Sequence, residues 1–568
     1  MTDQGLFRAR STLSQLIDGA GETRQIPCCK IVDYPAFQIR GFMHDVGRHF
    51  IPISELEKEI TILSRFKINT FHWHLTEDVA WRLASDIAPE LTAGAVSTRD
   101  TGYYTKEEVR RFVNFCKAHH VTVIPEIDMP GHSAAFTRAT GYSMQSPEGK
   151  RIVKELLIEA CELFDTPWFH IGTDEVEITD PDFATEMAEI VRCSGKEPIG
   201  WLPGADLGEP STRQLWIGTV EPPPGKKVID SRFLYLNHMD PFADLFGIFN
   251  SRICGSENGS DDLFGAICCI WNDRKPTSVK EIILSNAFYP VMLAFAERAW
   301  RGGGHDIRER GVNLPAPEDP DLEPFGDFED RMLLSRLRYL PDEPFPYFEQ
   351  ADIHWRITDP FPNQGDLSKV FPPERRIRKS YRYDGKKYPT RTAAGATVYL
   401  RHTWGGMVPG FIKDPRPDHT AYAYTYVYSP HNMEVGLWAG FHIFGRSEKD
   451  ATPPAGEWDY KGSRIWINNQ PIDPPAWAKA GFQPVDLETP YVDENYWMRE
   501  PIPVNLSKGW NKILLKMPVG RFTSPQARLT KWMFTALIVS ADGRSVPEGL
   551  IFSPEGRVVN SINLSTVR

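Results

Sequence analysis

Short apolar stretches alternate with amphipathic helical patterns between about residues 36 and 300. The helical segments ISELEKEITILSRF, TKEEVRRFVNFCKAHH and GKRIVKELLIEACELF repeat apolar residues every three or four positions. Ser54 and Thr105 precede glutamates in the manner of capping boxes. The candidate strands cover residues 38–46, 68–75, 121–129, 168–173, 198–203, 213–218, 231–237 and 265–272. Eight strand–helix units predict an α/β fold, a closed (β/α)8 barrel of the TIM type.

The hydrophobic pattern changes after the eighth unit. Residues 303–375 are rich in Gly, Pro and acids around one helical stretch, FEDRMLLSRLRYL, which predicts a linker that packs on the barrel. Residues 376–568 show short alternating strands, which predict a C-terminal all-β sandwich of the jelly-roll type. With an N-terminal extension at 1–35 and the barrel at 36–302, the 568 residues form two folded units.

Charge and hydropathy limit the classes of partner. The net charge of −11, with dispersed Lys and Arg, argues against nucleic acid or an anionic membrane. No run approaches the roughly 18 apolar residues that a membrane span needs, and the start, MTDQGLFRAR, lacks a hydrophobic signal core. The eight cysteines show no C-x-x-C motif or paired metal spacing. These features favour a small or neutral partner molecule and leave the oligomeric state open.

Two adjacent carboxylates, Asp174 and Glu175, end the apolar stretch WFHIGTDE. Neighbouring carboxylates repel each other, so one tends to keep its proton while the other ionises. Such a pair supplies the general acid and the anion that cleavage of a glycosidic bond requires. An Asp-Glu dipeptide is also common on protein surfaces. Its place at the carboxyl end of a barrel strand, where catalytic groups of this fold lie, favours the catalytic interpretation.

Other polar and aromatic residues follow the carboxyl ends of the predicted strands. Tryptophan and tyrosine rings pack against the C–H faces of sugars, and charged groups such as Arg48 and Asp273 clamp sugar hydroxyls. The pattern therefore predicts a carbohydrate pocket. Its further polar members are Glu77, Asp78 and His132, and its aromatic members are Trp201, Trp216, Tyr235 and Trp271.

His72 and His74 form an H-x-H pattern on the second strand, which in metal-dependent barrel hydrolases begins a metal site. The lysine and paired-histidine companions of such a site are not evident, so we predict no metal. Glu126 and Asp128, on one face of the third strand, are interpreted as structural supports.

The segments RGFMHDVGRHF, NTFHWHLTEDVAWRL, GYYTKEEVRRFV, VIPEIDMPGHS, FHIGTDE and AERAW occur in order across residues 36–301. Together they resemble the glycoside hydrolase family 20 β-N-acetylhexosaminidases. The resemblance implies a (β/α)8 catalytic barrel, no cofactor, and a glycan substrate with a terminal β-linked N-acetylhexosamine. It also implies a retaining, substrate-assisted mechanism and, as for similar enzymes, a periplasmic or secreted location.

By this resemblance, Glu175 is the general acid and base, and Asp174 orients the 2-acetamido group of the substrate. Tyr235 donates a hydrogen bond to the acetamido oxygen, and His132 connects Glu77 to Glu175. The implied substrate-binding residues are Arg48, Trp201, Trp216, Trp271, Asn237 and Asp273.

Four positions depart from the family pattern. Glu77 and Asn237 stand where the family usually has Asp, Thr173 where it has Gly, and Asp273 where it has Glu. The altered rim at Asn237 and Asp273 keeps two alternatives open: a catalytically weak sugar-binding barrel, and a preference for a modified or disaccharide terminal unit. Only some 35 residues precede the first strand, so the family's small N-terminal α/β domain is expected to be absent.

Overall fold

A computed structural model describes residues 2–17, 24–442, 450–485, 488–523 and 530–557 of the chain. Its contacts divide the chain into two compact units. The first comprises Met1–Asn237 and Asn250–Gly304, and the second comprises His238–Phe249 and His305–Arg568. The segment 238–249, which the sequence assigned to the barrel, is therefore grouped with the second unit.

The first unit contains a closed parallel barrel whose eight strands follow one another in chain order. The strands are β1 (Ile39–Asp45), β2 (Thr70–His74), β3 (Thr122–Glu126), β4 (Trp168–His170), β5 (Glu197–Leu202), β6 (Thr212–Leu215), β7 (Lys227–Asp230) and β8 (Leu263–Ile270). Strand β1 pairs with both β2 and β8, which closes the ring. The predicted TIM-type barrel is confirmed.

Amphipathic helices follow the early strands. They are α2 (Ile53–Arg65), α3 (Lys106–Ala118), α4 (Ala134–Thr140), α5 (Pro147–Leu163) and α6 (Phe183–Cys193), with α1 (Asp3–Leu16) before the barrel and α7 (Leu245–Phe249), α8 (Val279–Ser285) and α9 (Phe288–Arg301) later. Thr105 and Glu108 form the predicted capping box of α3. The capping role of Ser54 was wrong, because α2 begins one residue earlier behind Pro52 and has no side-chain cap. No described helix follows β5 or β6, and each of these strands leads to the next through a short connection.

The seventh predicted strand was wrong in position. The apolar letters of residues 231–237 suggested a strand there, but β7 lies earlier, at Lys227–Asp230. Residues 231–237 form the connection after it, where Tyr235 makes one isolated bridge to Cys269. Tyr235 therefore follows the carboxyl end of β7, where catalytic groups of this fold lie.

Apolar side chains fill the interior of the barrel. Both faces of the strands are covered, and every residue of β1 is buried, as is typical of a parallel sheet. The core cluster comprises Ile39, Met43, Ile124, Ile199, Trp201, Ile229, Phe264, Ile267 and Cys269. This packed interior supports the polar groups at the carboxyl ends of the strands.

The described part of the second unit holds two antiparallel sheets. Its helices are α7, whose range is given above, α10 (Ile307–Arg310), α11 (Leu322–Tyr339) and α12 (Pro372–Arg375). The larger sheet has the order β11-β12-β9-β14-β19-β16-β17, with β10 and β21 also paired to β14, and the smaller has the order β13-β20-β15-β18. The strands are β9 (His354–Thr358), β10 (Phe361–Pro362), β11 (Ser380–Tyr383), β12 (Lys386–Ala394), β13 (Thr397–Arg401), β14 (His419–Ser429), β15 (Met433–Gly440), β16 (Arg464–Ile467), β17 (Gln470–Ile472), β18 (Ile502–Leu506), β19 (Gly509–Val519), β20 (Trp532–Val539) and β21 (Ile551–Ser553).

The larger sheet already includes β9 and β10, so antiparallel strands begin inside the predicted linker at 303–375. That the strands are connected as in a jelly roll stays a prediction. The last residues of the predicted sandwich, 558–568, lie outside the described residues.

In the described ranges, no single helix is long and apolar enough to span a membrane. Helices α8 and α9 meet the length and hydropathy criteria only when taken together, and they are bent by 55° to each other.

Candidate active site

The turn after β4 places the two carboxylates at the carboxyl end of the barrel. Gly172 has a φ of 66°, and a Cβ there would lie 1.7 Å from Asp128 Oδ1, so this position requires glycine. Thr173 also has a left-handed φ, 85°, which disfavours a β-branched residue and explains the usual glycine of the family pattern. Its backbone N–H donates to Asp128 Oδ1 at 3.3 Å. This strained turn changes the direction of the chain after β4, so that Asp174 and Glu175 lie beyond the end of the strand.

Asp174 and Glu175 lie together with His132 but in different surroundings. One carboxylate oxygen of each acid and one imidazole nitrogen of His132 all lie within 4.8 Å of one another. Asp174 is only 9% exposed, whereas the Glu175 side chain is 56% exposed. Burial, opposed by His132 and aided by the charges of Glu126 and Glu175, raises the pKa of Asp174 to about 7. The two acids therefore titrate differently, as their adjacency predicts.

His132 bridges Glu175 and Glu77. Its Nε2 lies 3.5 Å from Glu175 Oε2, and its Nδ1 lies 3.3 Å from Glu77 Oε2. Although burial lowers it, the pKa of His132 is raised to about 12 by hydrogen bonds with Glu175 and Glu77. The hydrogen bond with His132 in turn lowers the pKa of Glu175. Near neutral pH and without substrate, His132 therefore carries its proton, Glu175 is ionised and Asp174 is partly protonated.

Arg48 is held among carboxylates. Its Nη1 donates to Asp45 Oδ2 at 2.8 Å, and its Nη2 lies 2.6 Å from Glu77 Oε1. Its Nη1 also lies 3.9 Å from Asp273 Oδ1. Burial lowers the pKa of Arg48, but Glu77, Asp45 and Asp273 outweigh it and hold this pKa well above its usual value. Asp45 was not predicted as a site residue, although it ends β1 and stands three residues before Arg48.

Asn237 and Asp273 meet at the edge of this cluster. Asn237 Nδ2 donates to Asp273 Oδ2 at 2.8 Å. Burial raises the pKa of Asp273, while Arg48 lowers it. Two of the four residues that depart from the family pattern are thus neighbours, and each fixes the other's orientation. Asp78, in contrast, accepts a hydrogen bond from Ala134 N at the start of α4.

Aromatic rings surround the polar groups. The ring of Trp271 lies 5.7 Å from that of Tyr235 and 5.6 Å from the Arg48 guanidinium. Trp216 is half-buried, and its indole N–H donates to the Pro203 carbonyl. Burial, then the charges of Cys269 and Asp174, raises the pKa of Tyr235 well above its usual value, so its hydroxyl keeps its proton.

The structure corrects the expectation for Trp201. Its side chain is fully buried, with 0% exposure, and its indole N–H donates to Glu126 Oε1 at 2.8 Å. A ring inside the barrel cannot be an open wall for a sugar. Trp201 instead supports the floor beneath Trp271, whose ring centre is 5.8 Å away.

Glu126 gathers the histidines beneath the pocket. Its Oε2 is hydrogen-bonded to His72 Nε2 at 2.8 Å and to His74 Nδ1 at 2.5 Å, and His170 Nδ1 lies 3.0 Å from its Oε1. His74 Nε2 also lies 3.4 Å from Glu77 Oε1. Carboxylates and imidazoles therefore alternate from Glu126 through His74, Glu77 and His132 to Glu175.

The H-x-H pattern belongs to this buried chain of groups. Burial opposes both charges, but Glu126 raises the pKa of His74 well above its usual value, while His72, mainly through burial, has its pKa lowered to about 4. Three ligand atoms, from His72, Glu126 and His170, lie within 4.8 Å of one another. The hydrogen bonds to Glu126 account for this closeness, and chelation remains the direct test of the metal alternative.

We expect Glu126→Gln to lower the free energy of unfolding by about 3–5 kcal/mol, because it leaves a buried imidazolium without its anion. The N–H₂ group of the amide would also face N–H groups that now donate hydrogen bonds to the carboxylate, so these hydrogen bonds would be lost. Urea unfolding followed by circular dichroism measures the loss. Glu107→Gln, at a side chain that is 83% exposed, is the matched control. A loss no larger than the control's would contradict the supporting role of Glu126.

The chain is similar to known proteins in sequence and in fold. The profile described as "Glycosyl hydrolase family 20, catalytic domain" matches residues 37–150. The β-hexosaminidase of Porphyromonas gingivalis is 38% identical over 382 residues, which cover 52% of this chain and 48% of that protein. The β-hexosaminidase subunit A1 of Dictyostelium discoideum is 31% identical over 400 residues, which cover 57% of this chain and 73% of that protein.

A solved β-N-acetylhexosaminidase of Streptomyces coelicolor shares the fold with a TM-score of 0.50 and 22% identity, over 61% of this chain and 78% of that one. The chain spans about half the length of the bacterial relatives that it matches, with coverage of 48%, 45% and 51% for those of P. gingivalis, Vibrio furnissii and Cellulomonas fimi.

Proposed function

The chain belongs to glycosyl hydrolase family 20, and from this premise we propose that it is an exo-acting, retaining β-N-acetylhexosaminidase. Its substrate class is glycans that end in β-linked GlcNAc or GalNAc. The observation that carries the proposal is the arrangement of Asp174, Glu175 and His132, whose polar atoms converge within 4.8 Å at the end of β4. A buried acid beside a half-exposed one suits a reaction in which the substrate supplies the nucleophile.

In the first step, the acetamido oxygen of the substrate attacks the anomeric carbon, and the bond from that carbon to the leaving oxygen breaks. Ionised Asp174 accepts the acetamido N–H and stabilises the positive charge that develops on the group. The Tyr235 hydroxyl donates to the acetamido oxygen. Glu175 gives its proton to the leaving oxygen, and an oxazolinium intermediate forms.

In the second step, Glu175 takes a proton from water, which adds to the anomeric carbon and opens the oxazolinium ring. Two displacements at one carbon retain its configuration. No protein nucleophile is needed.

The proton of Glu175 comes through His132. Glu175 is ionised while its side chain is 56% exposed beside the His132 imidazolium. A bound sugar removes water from this carboxylate, which raises its pKa and draws a proton from His132. Glu77, on the other side of His132, stabilises the imidazole in a fixed orientation.

Sugar hydroxyls would meet the charged rim. Arg48 is already oriented by Asp45 and Glu77, so it can hold the outer hydroxyls of the terminal sugar at little further entropic cost. Trp271 and Trp216 offer half-buried ring faces to the sugar. Asn237 and Asp273, joined by a hydrogen bond, face the far hydroxyls as one unit.

The test is the release of 4-nitrophenol from its β-GlcNAc and β-GalNAc glycosides by the full chain, with and without a thiazoline analogue of the oxazolinium. We expect turnover, competitive inhibition by the thiazoline, and no loss on treatment with EDTA. Loss with EDTA would instead support a metal-dependent hydrolase. No turnover by folded protein would refute the proposal and favour a sugar-binding barrel or a modified terminal unit.

A further inference from the structure

A cavity of about 610 Å³ lies at the end of the barrel opposite the acid pair. Ile39, Thr70, Thr122 and Trp168, the first residues of β1 to β4, line it. Helix α1 forms part of the cavity wall with the face that includes Arg8. Because Asp174 and Glu175 follow the carboxyl end of β4 and Trp168 begins that strand, this cavity is separate from the candidate active site.

Two buried arginines line the cavity. Arg8 is 7% exposed and Arg40 is 3% exposed. Arg8 donates to the backbone carbonyls of Ser64, Ile68 and His120. Arg40 likewise donates to backbone carbonyls, those of Phe37, Gln38 and Lys67. Both guanidiniums are therefore fixed in place by neutral acceptors.

The positive charge of these arginines is not compensated by an acid in the described residues. Neither guanidinium forms an ion pair there, and the buried Arg8 Nε has no hydrogen-bond partner. The carboxylate that lines the cavity, Asp33, is engaged by Lys67 at 2.6 Å, Trp300 Nε1 at 2.5 Å and Thr12 at 2.9 Å. Burial and, to a smaller extent, the charge of Arg8 together lower the pKa of Arg40 to about 9.

Burying a charge without a counter-charge costs free energy. An anion that enters the cavity and binds to both arginines would offset this cost. We propose that this cavity is a second ligand site, which binds a small organic anion bearing a carboxylate or phosphate group through Arg8 and Arg40. The half-buried ring of Trp168 and the apolar Ile39 offer a surface to the body of that anion. This site does not depend on the proposed hydrolase activity.

The test is titration calorimetry of the full chain with inorganic phosphate and with glucuronate, each against chloride at equal ionic strength. We expect saturable binding of at least one of the two anions at one site per chain. The phosphate arm and the carboxylate arm show which group the site prefers. No saturable heat from either anion would overturn the proposal.

Two variants locate the binding. Arg8→Met removes the guanidinium, and Ala9→Trp fills the cavity from an exposed position of α1 while it keeps Arg8 and its hydrogen bonds. We expect at least tenfold weaker binding in both. Arg10→Trp, at an exposed position of α1 outside the lining, and Arg48→Met, in the candidate active site, should bind as wild type does. Unchanged affinity in Ala9→Trp with an unchanged unfolding temperature would show that the anion binds elsewhere.

Discussion

Replacing Glu175 by Gln should reduce kcat on chitobiose by about 10³-fold, within the range that loss of a general acid or base produces. An amide of the same shape can neither protonate the leaving oxygen nor take a proton from water. The loss should be smaller on the 4-nitrophenyl glycoside, because nitrophenolate leaves without much protonation. Because the second step is common to both substrates, comparison of kcat/KM, which reports the departure of the leaving group, separates the acid role from the base role and from damage to the pocket.

Glu177→Gln provides the control for this variant. Glu177 is exposed and lies two residues further along the same turn. It should keep wild-type kcat on both substrates, and both variants should keep the wild-type unfolding temperature. Equal losses of kcat/KM by Glu175→Gln on chitobiose and on the aryl glycoside would contradict the role of Glu175 as the proton donor.

The barrel could be predicted because its signals are local. Helix periodicity and short apolar strands recur along one segment, and each is set by burial of one helix face or of both strand faces. The seventh strand could not be placed in this way. The apolar run at 231–237 packs in a connection, whereas the observed β7, KVID, is short and bounded by charge. In a barrel, a short segment becomes a strand when it forms hydrogen bonds with the strands on either side of it. The local sequence pattern does not show which segment will do so.

The site residues could be named from motifs, but their electrostatics could not. Adjacency of Asp174 and Glu175 predicts that they titrate differently, yet which one holds the proton depends on burial and on His132, which stands 43 positions before Glu175 in the chain. Trp201 shows the same limit. Its place near a strand end predicted a pocket wall, but alternation along β5 points its ring into the barrel toward Glu126.

Asp174→Asn should have two large effects, one on activity and one on stability. The neutral amide cannot stabilise the charge that develops on the acetamido group, so we expect kcat/KM to fall by about 10²–10³-fold. In the wild type, Asp174 must be ionised to act, and its pKa is raised to about 7. Wild-type kcat/KM should therefore rise with pH through about 7, and the residual activity of the variant should lack this rise.

The stability effect has the opposite sign. The native state keeps a proton on Asp174 up to about pH 7, whereas an unfolded aspartate loses it near pH 3.9. Native protein therefore binds more protons than unfolded protein between these values, and Asp174 makes stability fall as pH rises through that window. At pH 8 the variant, which lacks the buried anion, should be more stable than wild type by roughly 4 kcal/mol, and the difference should vanish toward pH 4.

Urea midpoints at pH 8 and near pH 4 measure this difference, with Asp182→Asn, at an exposed position, as the control. A variant that loses activity and gains stability only at the higher pH separates the function of Asp174 from its cost to the fold. Loss of activity together with loss of stability at pH 8 would mean that Asp174 is ionised and well solvated in the free protein. The burial of Asp174 at 9% exposure argues for the first result, because burial disfavours the anion and the charges of Glu126 and Glu175 add to this effect, while His132 only partly opposes it.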